Sequence, residues 1–391
     1  MRSFSAVLLT SLALAGAEPG HAACGGDFAE FVRSVKVEAA SRGYGPDLIE
    51  DFFRGAALDK KVLRADHGQG VFQKTFSDFA HERISKGRLA NGRANAQHYR
   101  QTFARIQADY GISPGVLLAF WALETDFGAG QGNFNSRNAL LTLSYDCRRP
   151  ELFRPEIFAA LALAQKGDFD GVHTTGAWAG EIGQMQMLPS DILEYGADGD
   201  GDGRIDVVTS APDALVSAAR MLRGFGWRAN EPWLQEVTVP ADLDWSKTGL
   251  SHSLATADWA ARGVTAREGR LPAGLEGSVL LPMGRNGPAF MAYPNFRVFF
   301  NWNKSTVYMT TAAHFAARLD GAAAFDPRRP EAGLTPAEMK RLQQKLVSRG
   351  YDVGKVDGIA GAKTRDAVQA EQLRLGLPAD AWPTRTLFDA L

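Results

Sequence analysis

The chain has 391 residues, 45% of them apolar and 22% charged, with a formal net charge of −1. That balance excludes a disordered or collagen-like polymer and gives no overall basic footprint for nucleic acid. The length allows a sizeable core divided over two or three domains.

The N-terminus reads as a targeting segment. Arg2 supplies positive charge, Ala6 to Ala15 form an apolar run, and Gly16, Ala17, Ala22 and Ala23 supply small residues. This is the three-part plan of a secretory signal peptide over residues 1–23, and its apolar run is too short to span a bilayer. The expectation is export to the periplasm, with no transmembrane span after signal removal. Export would place the two cysteines, Cys24 and Cys147, in an oxidising compartment, where one disulfide is the economical reading. The alternative is a lipid-modified Cys24, although His21, Ala22 and Ala23 before it lack the leucine of a bacterial lipobox.

From Asp27 to Tyr110 the pattern is mostly helical, with stops at Gly43 and Gly111. The stretch ISPGVLLAFWALETDFG predicts a helix with Ser113 as N-cap and Pro114 in the first helical position. Val116, Leu117, Phe120, Trp121 and Leu123 cover a broad face, so this helix is expected to be buried on most sides. Glu124 falls in its last turn, one turn after Phe120 and Trp121. Desolvation by such neighbours raises a carboxyl's pKa, which is what a proton donor near neutral pH requires. Asp126 lies two positions on and would point off that face.

The segment GAWAGEIGQMQMLP reads as a loop running into a short helix. Glu181 within it is either a second ionisable group or, as the favoured reading, an acceptor that fixes the loop. The next stretch follows the start of an EF-hand loop. Oxygens come from Asp198, Asp200 and Asp202, then Gly203, the backbone carbonyl of Arg204 and apolar Ile205. Thr209 stands where a closing glutamate belongs. A helix is expected over 212–225, short strands across 264–300 that include GSVLL and FRVFF, and another helix from Ser305. FDPRRPEAG reads as an interdomain linker over 325–333. Beyond it, Thr335, Pro336 and Glu338 form a capping-box start for a compact helical module. His173, His252 and His314 show no metal or triad spacing.

The strings ALETDFG, NALLTLSYDCRRPELF and GAWAGEIGQMQMLPS occur in this order at fitting spacing. Together they resemble the lytic transglycosylase B family of murein-degrading enzymes, over roughly Cys24 to Leu319. The resemblance implies an α+β, mostly α, lysozyme-like catalytic domain with a small β-containing subdomain, here residues 24–324. It also implies cleavage of the β-1,4 bond between N-acetylmuramic acid and N-acetylglucosamine in peptidoglycan, leaving 1,6-anhydro ends. One glutamic acid acts first as acid and then as base, so the second carboxylate of ordinary glycosidases is not required. Glu124 takes that role.

By the same resemblance, Arg148 and Arg149 match paired arginines suited to sugar hydroxyls, a lactyl carboxylate or a peptide stem. Gln186 matches an active-site glutamine that both donates and accepts. The segment FFNWNKSTVY aligns Asn303, Ser305 and Tyr308 with the family, making Asn303 and Tyr308 candidate substrate contacts. Trp302 replaces a family tyrosine and would stack on a sugar ring. Ala177 stands where some members carry serine. The family closes its acidic loop with a later aspartate, matched here by Asp213. That completes a structural Ca²⁺ (or Na⁺) set of Asp198, Asp200, Asp202, Arg204 and Asp213, with no cofactor for catalysis. Residues 334–391 resemble the three-helix peptidoglycan-binding domain, with Glu371 and Gln372 where an aromatic–glutamine pair is usual. The expected partner is the peptidoglycan glycan strand, met by a monomer. The rival readings are a hydrolytic muramidase with a second carboxylate opposite Glu124, and a non-catalytic wall-binding protein.

Overall fold

A computed structural model describes residues 24–68 and 74–391; residues 1–23, expected to be a signal segment, lie outside the described residues. The first six helices are α1 (Phe28–Ser41), α2 (Pro46–Phe53), α3 (Lys60–His67), α4 (Phe76–Arg83), α5 (Lys86–His98) and α6 (Arg100–Tyr110). Asp27, Asp59, Thr75 and Ser85 open four of them by accepting a first-turn N–H. Helices α5 and α6 are divided at Tyr99, whose ring meets Trp121 edge-on at 5.7 Å. Gly111 ends α6 at φ 62°, in the left-handed region.

Next come α7 (Pro114–Thr125), α8 (Ser136–Tyr145), α9 (Pro150–Lys166), α10 (Pro189–Tyr195) and α11 (Ala211–Gly224). Two short strands, β1 (Phe134–Asn135) and β2 (Thr175–Gly176), pair antiparallel between them. The subdomain that follows is a sheet of β3 (Leu234–Thr238), β4 (Leu254–Ala255), β5 (Thr265–Ala266), β6 (Glu276–Leu280) and β7 (Phe290–Ala292), with α12 (Thr256–Ala261). Its order is β4-β6-β7-β3-β5, antiparallel throughout, with Leu234 opposite Ala292 and Leu280 opposite Phe290. It has a small core of its own around Trp259, Val279 and Met291.

The chain returns through α13 (Pro294–Trp302) and α14 (Thr306–Leu319). FRVFF, expected as a strand, lies inside α13. Pro294 fits the first helical position, and Phe296 and Phe299, three residues apart, bury one helical face.

Nine of the twelve residues of α7 are buried, so this helix requires a sheath of others, and α14 is its main neighbour. Ser113 occupies the N-cap position without capping. Asp320, just past α14, instead accepts the Gly115 N–H at 2.9 Å. A Cβ on Gly115 would overlap the Ala316 carbonyl, so the two backbones meet directly. The helices run antiparallel, which brings Tyr308 at the start of α14 to Glu124 at the end of α7.

The C-terminal module comprises α15 (Pro336–Ser348), α16 (Ala362–Arg374) and α17 (Arg385–Ala390) around Leu342, Leu346, Val368 and Leu387. Thr335 and Glu338 form the capping box, each accepting the other's backbone N–H. The segment joining it to the rest of the chain is held along its length. Arg267 donates to the Ala324 carbonyl at 2.8 Å, the Asp326 N–H donates to Glu236 at 2.8 Å, and the Phe325 ring lies 4.9 Å from Phe76. Helix α16 then docks on the subdomain. Arg365 donates to the Pro282 carbonyl at 2.6 Å, and Gln369 donates to the carbonyls of Trp245 and Thr248 at 3.0 Å.

Candidate active site

Glu124 lies in a cleft of about 410 Å³ lined also by Trp178, Glu181, Gln186, Asp191, Trp302 and Asn303. Its Oε1 accepts the Tyr308 hydroxyl at 2.7 Å and the Trp302 indole N–H at 3.0 Å. Burial pushes the Glu124 carboxyl up to about 7; the two donors oppose that rise, and the charge of Glu181 adds to it. The Tyr308 hydroxyl is raised well above its ordinary value by burial and then by Glu124, so it remains a donor.

Trp302 is stacked on Phe120, with ring centroids 4.3 Å apart and planes at 23°. One face of the indole is therefore taken, and its N–H supplies a hydrogen bond to the carboxyl. Replacement of the family tyrosine keeps a donor at this point. Tyr308, expected to contact substrate, donates its hydroxyl to the Glu124 carboxyl. Asn303 lines the cleft, and its side-chain oxygen accepts the Ser305 N–H at 2.8 Å, shaping the turn into α14.

The residue after Glu124 ties this helix to the glycine-rich loop. Thr125 is buried; its hydroxyl donates to the Gln184 carbonyl at 2.6 Å and accepts the Gly128 N–H at 2.9 Å. The loop is anchored at its base by β1 and β2 and narrows at the Ile182–Met187 bridge. Gly183 turns there at φ 78°, and a Cβ would overlap the Val207 carbonyl. Gln186, at φ 51°, donates its amide to the carbonyls of Gly183 at 2.9 Å and Gln131 at 3.2 Å. Its side-chain oxygen has no partner among the described residues. Thr125→Val, which removes both bonds at nearly constant volume, is expected to cost about 1–3 kcal/mol. Denaturant unfolding measures this, and an unchanged midpoint would refute the anchoring role.

Arg148 and Arg149 are not in the lining of the cleft. Both pair with Asp66, which is 1% exposed. Burial alone would raise the Asp66 carboxyl, but the hydrogen bonds and charges of Arg148 and Arg149 outweigh it and hold the group below the usual range. Asp126 caps α7 at φ 52° and pairs with Arg88 at 3.0 Å, away from the cleft. Sequence reading missed Asp66, for which no local motif gives a signal. It also missed Asp191, whose carboxyl burial pushes up to about 6 against the Leu188 N–H, with Glu156 and Glu194 adding to the rise.

Asp198, Asp200 and Asp202 gather carboxylate oxygens within 4.8 Å of one another, all on exposed residues. Asp198 accepts the N–H groups of Gly201, Asp202 and Gly203, which hold its carboxyl below the usual range. Asp213 stands apart from this cluster. It is 1% exposed, and its oxygens accept N–H groups from Gly199 at 2.7 Å and Asp206 at 2.7 Å, closing the loop onto α11. Three carboxylates converging in one turn, with glycines permitting its curvature, suit a hard cation with oxygen ligands. Cys24 and Cys147 form a disulfide with Cα atoms 5.1 Å apart, which commits the Cys24 sulfur to a partner within the chain.

Residues 27–317 match the family described as Transglycosylase SLT domain. The chain belongs to that family. Residues 335–391 match the peptidoglycan binding domain family. Among solved structures, this transglycosylase-domain chain is similar to SltB3 from Pseudomonas aeruginosa in complex with NAG-anhNAM-pentapeptide. The two are 33% identical with a TM-score of 0.86, covering 94% of this chain and 99% of that one. Escherichia coli Slt35 in complex with calcium aligns at 25% identity and a TM-score of 0.65, over 78% of this chain and 98% of that one. The membrane-bound lytic murein transglycosylase B of Escherichia coli is 28% identical over 231 residues, 58% of this chain. The matched stretch spans 62% of that relative's length.

Proposed function

We propose that the protein is a lytic transglycosylase that cleaves the β-1,4 bond between N-acetylmuramic acid and N-acetylglucosamine in peptidoglycan. The observation that carries this reading is Glu124, half-buried in the cleft, its carboxyl pushed up to about 7 by desolvation, and aimed by Tyr308 and Trp302. Glu124 gives its proton to the glycosidic oxygen as the bond from that oxygen to the muramyl anomeric carbon breaks. The resulting carboxylate takes the proton of the muramyl 6-hydroxyl as O6 bonds to the same carbon. The 1,6-anhydro ring forms, and Glu124 ends protonated again. Gln186, with its free oxygen, and Asn303 are the substrate-binding polar groups of the cleft. The complex of SltB3 with an anhydro-muramyl fragment supports the same chemistry for this chain.

The protein acts as a monomer in the periplasm after loss of residues 1–23, with catalytic domain 24–324, linker 325–333 and wall-binding domain 334–391. Hydrolysis is the second reading, because Glu181 supplies another carboxyl in the same cleft. One measurement separates the two: mass spectrometry of muropeptides released from purified sacculi by the wild type and by Glu124→Gln. Anhydro products, lighter by one water and lost in the variant, support transglycosylation. Reducing-end products mean hydrolysis, and no release by either form leaves a wall-binding protein.

The acidic loop holds Ca²⁺ in a structural role, a reading supported by the calcium complex of Slt35. Asp198, Asp200 and Asp202 with the Arg204 carbonyl are the ligand set, and Asp213 closes the loop around it. A cation that binds only the folded chain stabilises it by about 2.7 kcal/mol at 100 times its dissociation constant. Chelator treatment is therefore expected to lower the melting temperature by several degrees, with added Ca²⁺ restoring it. No change on either step would remove the cation from the account.

A further inference from the structure

Glu124 shares its cleft with two other carboxyl groups, Glu181 and Asp191. Neither has a part in the one-carboxylate scheme, and they differ in surroundings. The charge neighbours of Asp191 are Glu156 and Glu194. Those of Glu181 are Glu124 and Arg149. Glu181 sits on the narrow glycine-rich loop, where its backbone carbonyl accepts the Ala177 N–H at 2.8 Å and Ile182 next to it forms the bridge to Met187. The loop backbone is thus fixed at the point where Glu181 lines the cleft.

Two desolvated, half-buried carboxyls in one cleft do not readily ionise together, so their surroundings decide which one keeps the proton. Burial raises the Glu181 carboxyl as well, and the charge of Arg149 opposes that rise. The Arg149 guanidinium is anchored by Asp66, it lies over the Phe153 ring at 5.2 Å, and its Nε is buried without a hydrogen-bond partner. Among the described residues no cation acts on Glu124 in this way. Facing it are Tyr308 from α14, Trp302 from α13, Glu181 from the loop and, across the cleft, Asp191 from α10. Arg83 and Arg88 act on Tyr308, and Arg88 is paired with Asp126.

We propose that Glu181 is a positioning residue of the reaction, an anion favoured by the Asp66-anchored Arg149 that keeps the proton on Glu124 until substrate arrives. The proposal rests on Glu124 being the acid, as argued above. It assigns the Asp66–Arg149 pair, outside the lining of the cleft, a function at one remove from the chemistry. It also gives Glu181 a purpose beyond fixing its loop.

The test is the pH dependence of kcat/KM for muropeptide release by the full-length protein, as wild type, Glu181→Gln, Glu181→Asp and Glu124→Gln. Such a profile reports the essential groups of the free enzyme. In Glu181→Gln the alkaline limb is expected to move about one pH unit lower, the size of one near-neighbour charge. The variant then loses about tenfold more activity at pH 7.5 than at pH 5. Glu181→Asp, which keeps the charge, is expected to return the limb towards its wild-type position. A limb that does not move in Glu181→Gln, or equal losses at every pH in both variants, would overturn the proposal and leave a structural glutamate. Should Glu181→Gln not fold, a ¹³C-carboxyl NMR titration of the wild type decides instead. Glu181 ionising before Glu124 supports the assignment, and the reverse order overturns it. Retained activity in Glu124→Gln would sink the reading of Glu124 itself, an outcome distinct from any shift of the limb.

Discussion

Glu124→Gln is expected to slow release of anhydro-muropeptides by about 10³-fold or more, near the upper range of what a positioned general acid–base contributes. The amide oxygen can still accept from Tyr308 and Trp302, which both bond to Oε1. The fold and the cleft should therefore persist, and binding to sacculi should be retained. What is lost is the transferable proton, which the reaction needs twice, once for the leaving oxygen and once on return from the 6-hydroxyl. A loss below tenfold, measured on purified sacculi at pH 6, would mean that another carboxyl supplies the proton.

The same substitution also has a stability signature whose sign follows from linkage. The folded-state pKa of Glu124 is about 7 against an ordinary 4.5, so between those values the native state holds a proton that the unfolded chain has released. Stability therefore falls as pH rises through this window, and the full cost is present above the upper value. That gap corresponds to roughly 3 kcal/mol. Glu124→Gln, which cannot ionise, should then be more stable than wild type at pH 8 and nearly equal to it at pH 4.5. Thermal melting at both pH values reads this directly. An equal effect at the two would show that the carboxyl is not held protonated. The proposed acid thus weakens the fold increasingly as pH rises through its own titration.

How far the site was legible in the sequence depends on whether a residue acts through near neighbours or distant ones. The environment of Glu124 was legible because Phe120 and Trp121 lie one helical turn away, and helix periodicity alone puts them on its face. The loop carrying Gln186 was legible from its glycines. The FRVFF segment misled because an apolar run of five suits a buried strand and a buried helix face equally, and the deciding feature was Pro294 just before it. Asp126 is sent away from the cleft by a left-handed turn at its own position. Asp66 was beyond reach because its partners lie about eighty positions on. Its meaning comes only from the tertiary contact of α3 with α8 and the turn after it. The same holds for Asp320, which takes over a cap that Ser113 was expected to provide.

Asp66→Asn is expected to destabilise the protein by about 3 kcal/mol, because breaking a buried charge cluster leaves its other members uncompensated. The Asp66 side chain is 2% exposed and is shared by two guanidinium groups that are themselves 42% and 33% exposed, so water recovers part of the loss on the arginine side. An internal control is at hand in Asp126→Asn. That residue pairs with Arg88 at 3.0 Å, but its side chain is 54% exposed, so the loss there should stay below about 1 kcal/mol. Urea midpoints of the two variants decide the matter, and similar values would show that burial of Asp66 adds nothing. The larger loss would also carry a functional signature. Releasing Arg149 removes the cation that favours an ionised Glu181, so the alkaline limb of the pH–rate profile should move in the same direction as in Glu181→Gln. A stability change without that movement would confine Asp66 to the fold, whereas both together would tie the arginine pair to the proton on Glu124.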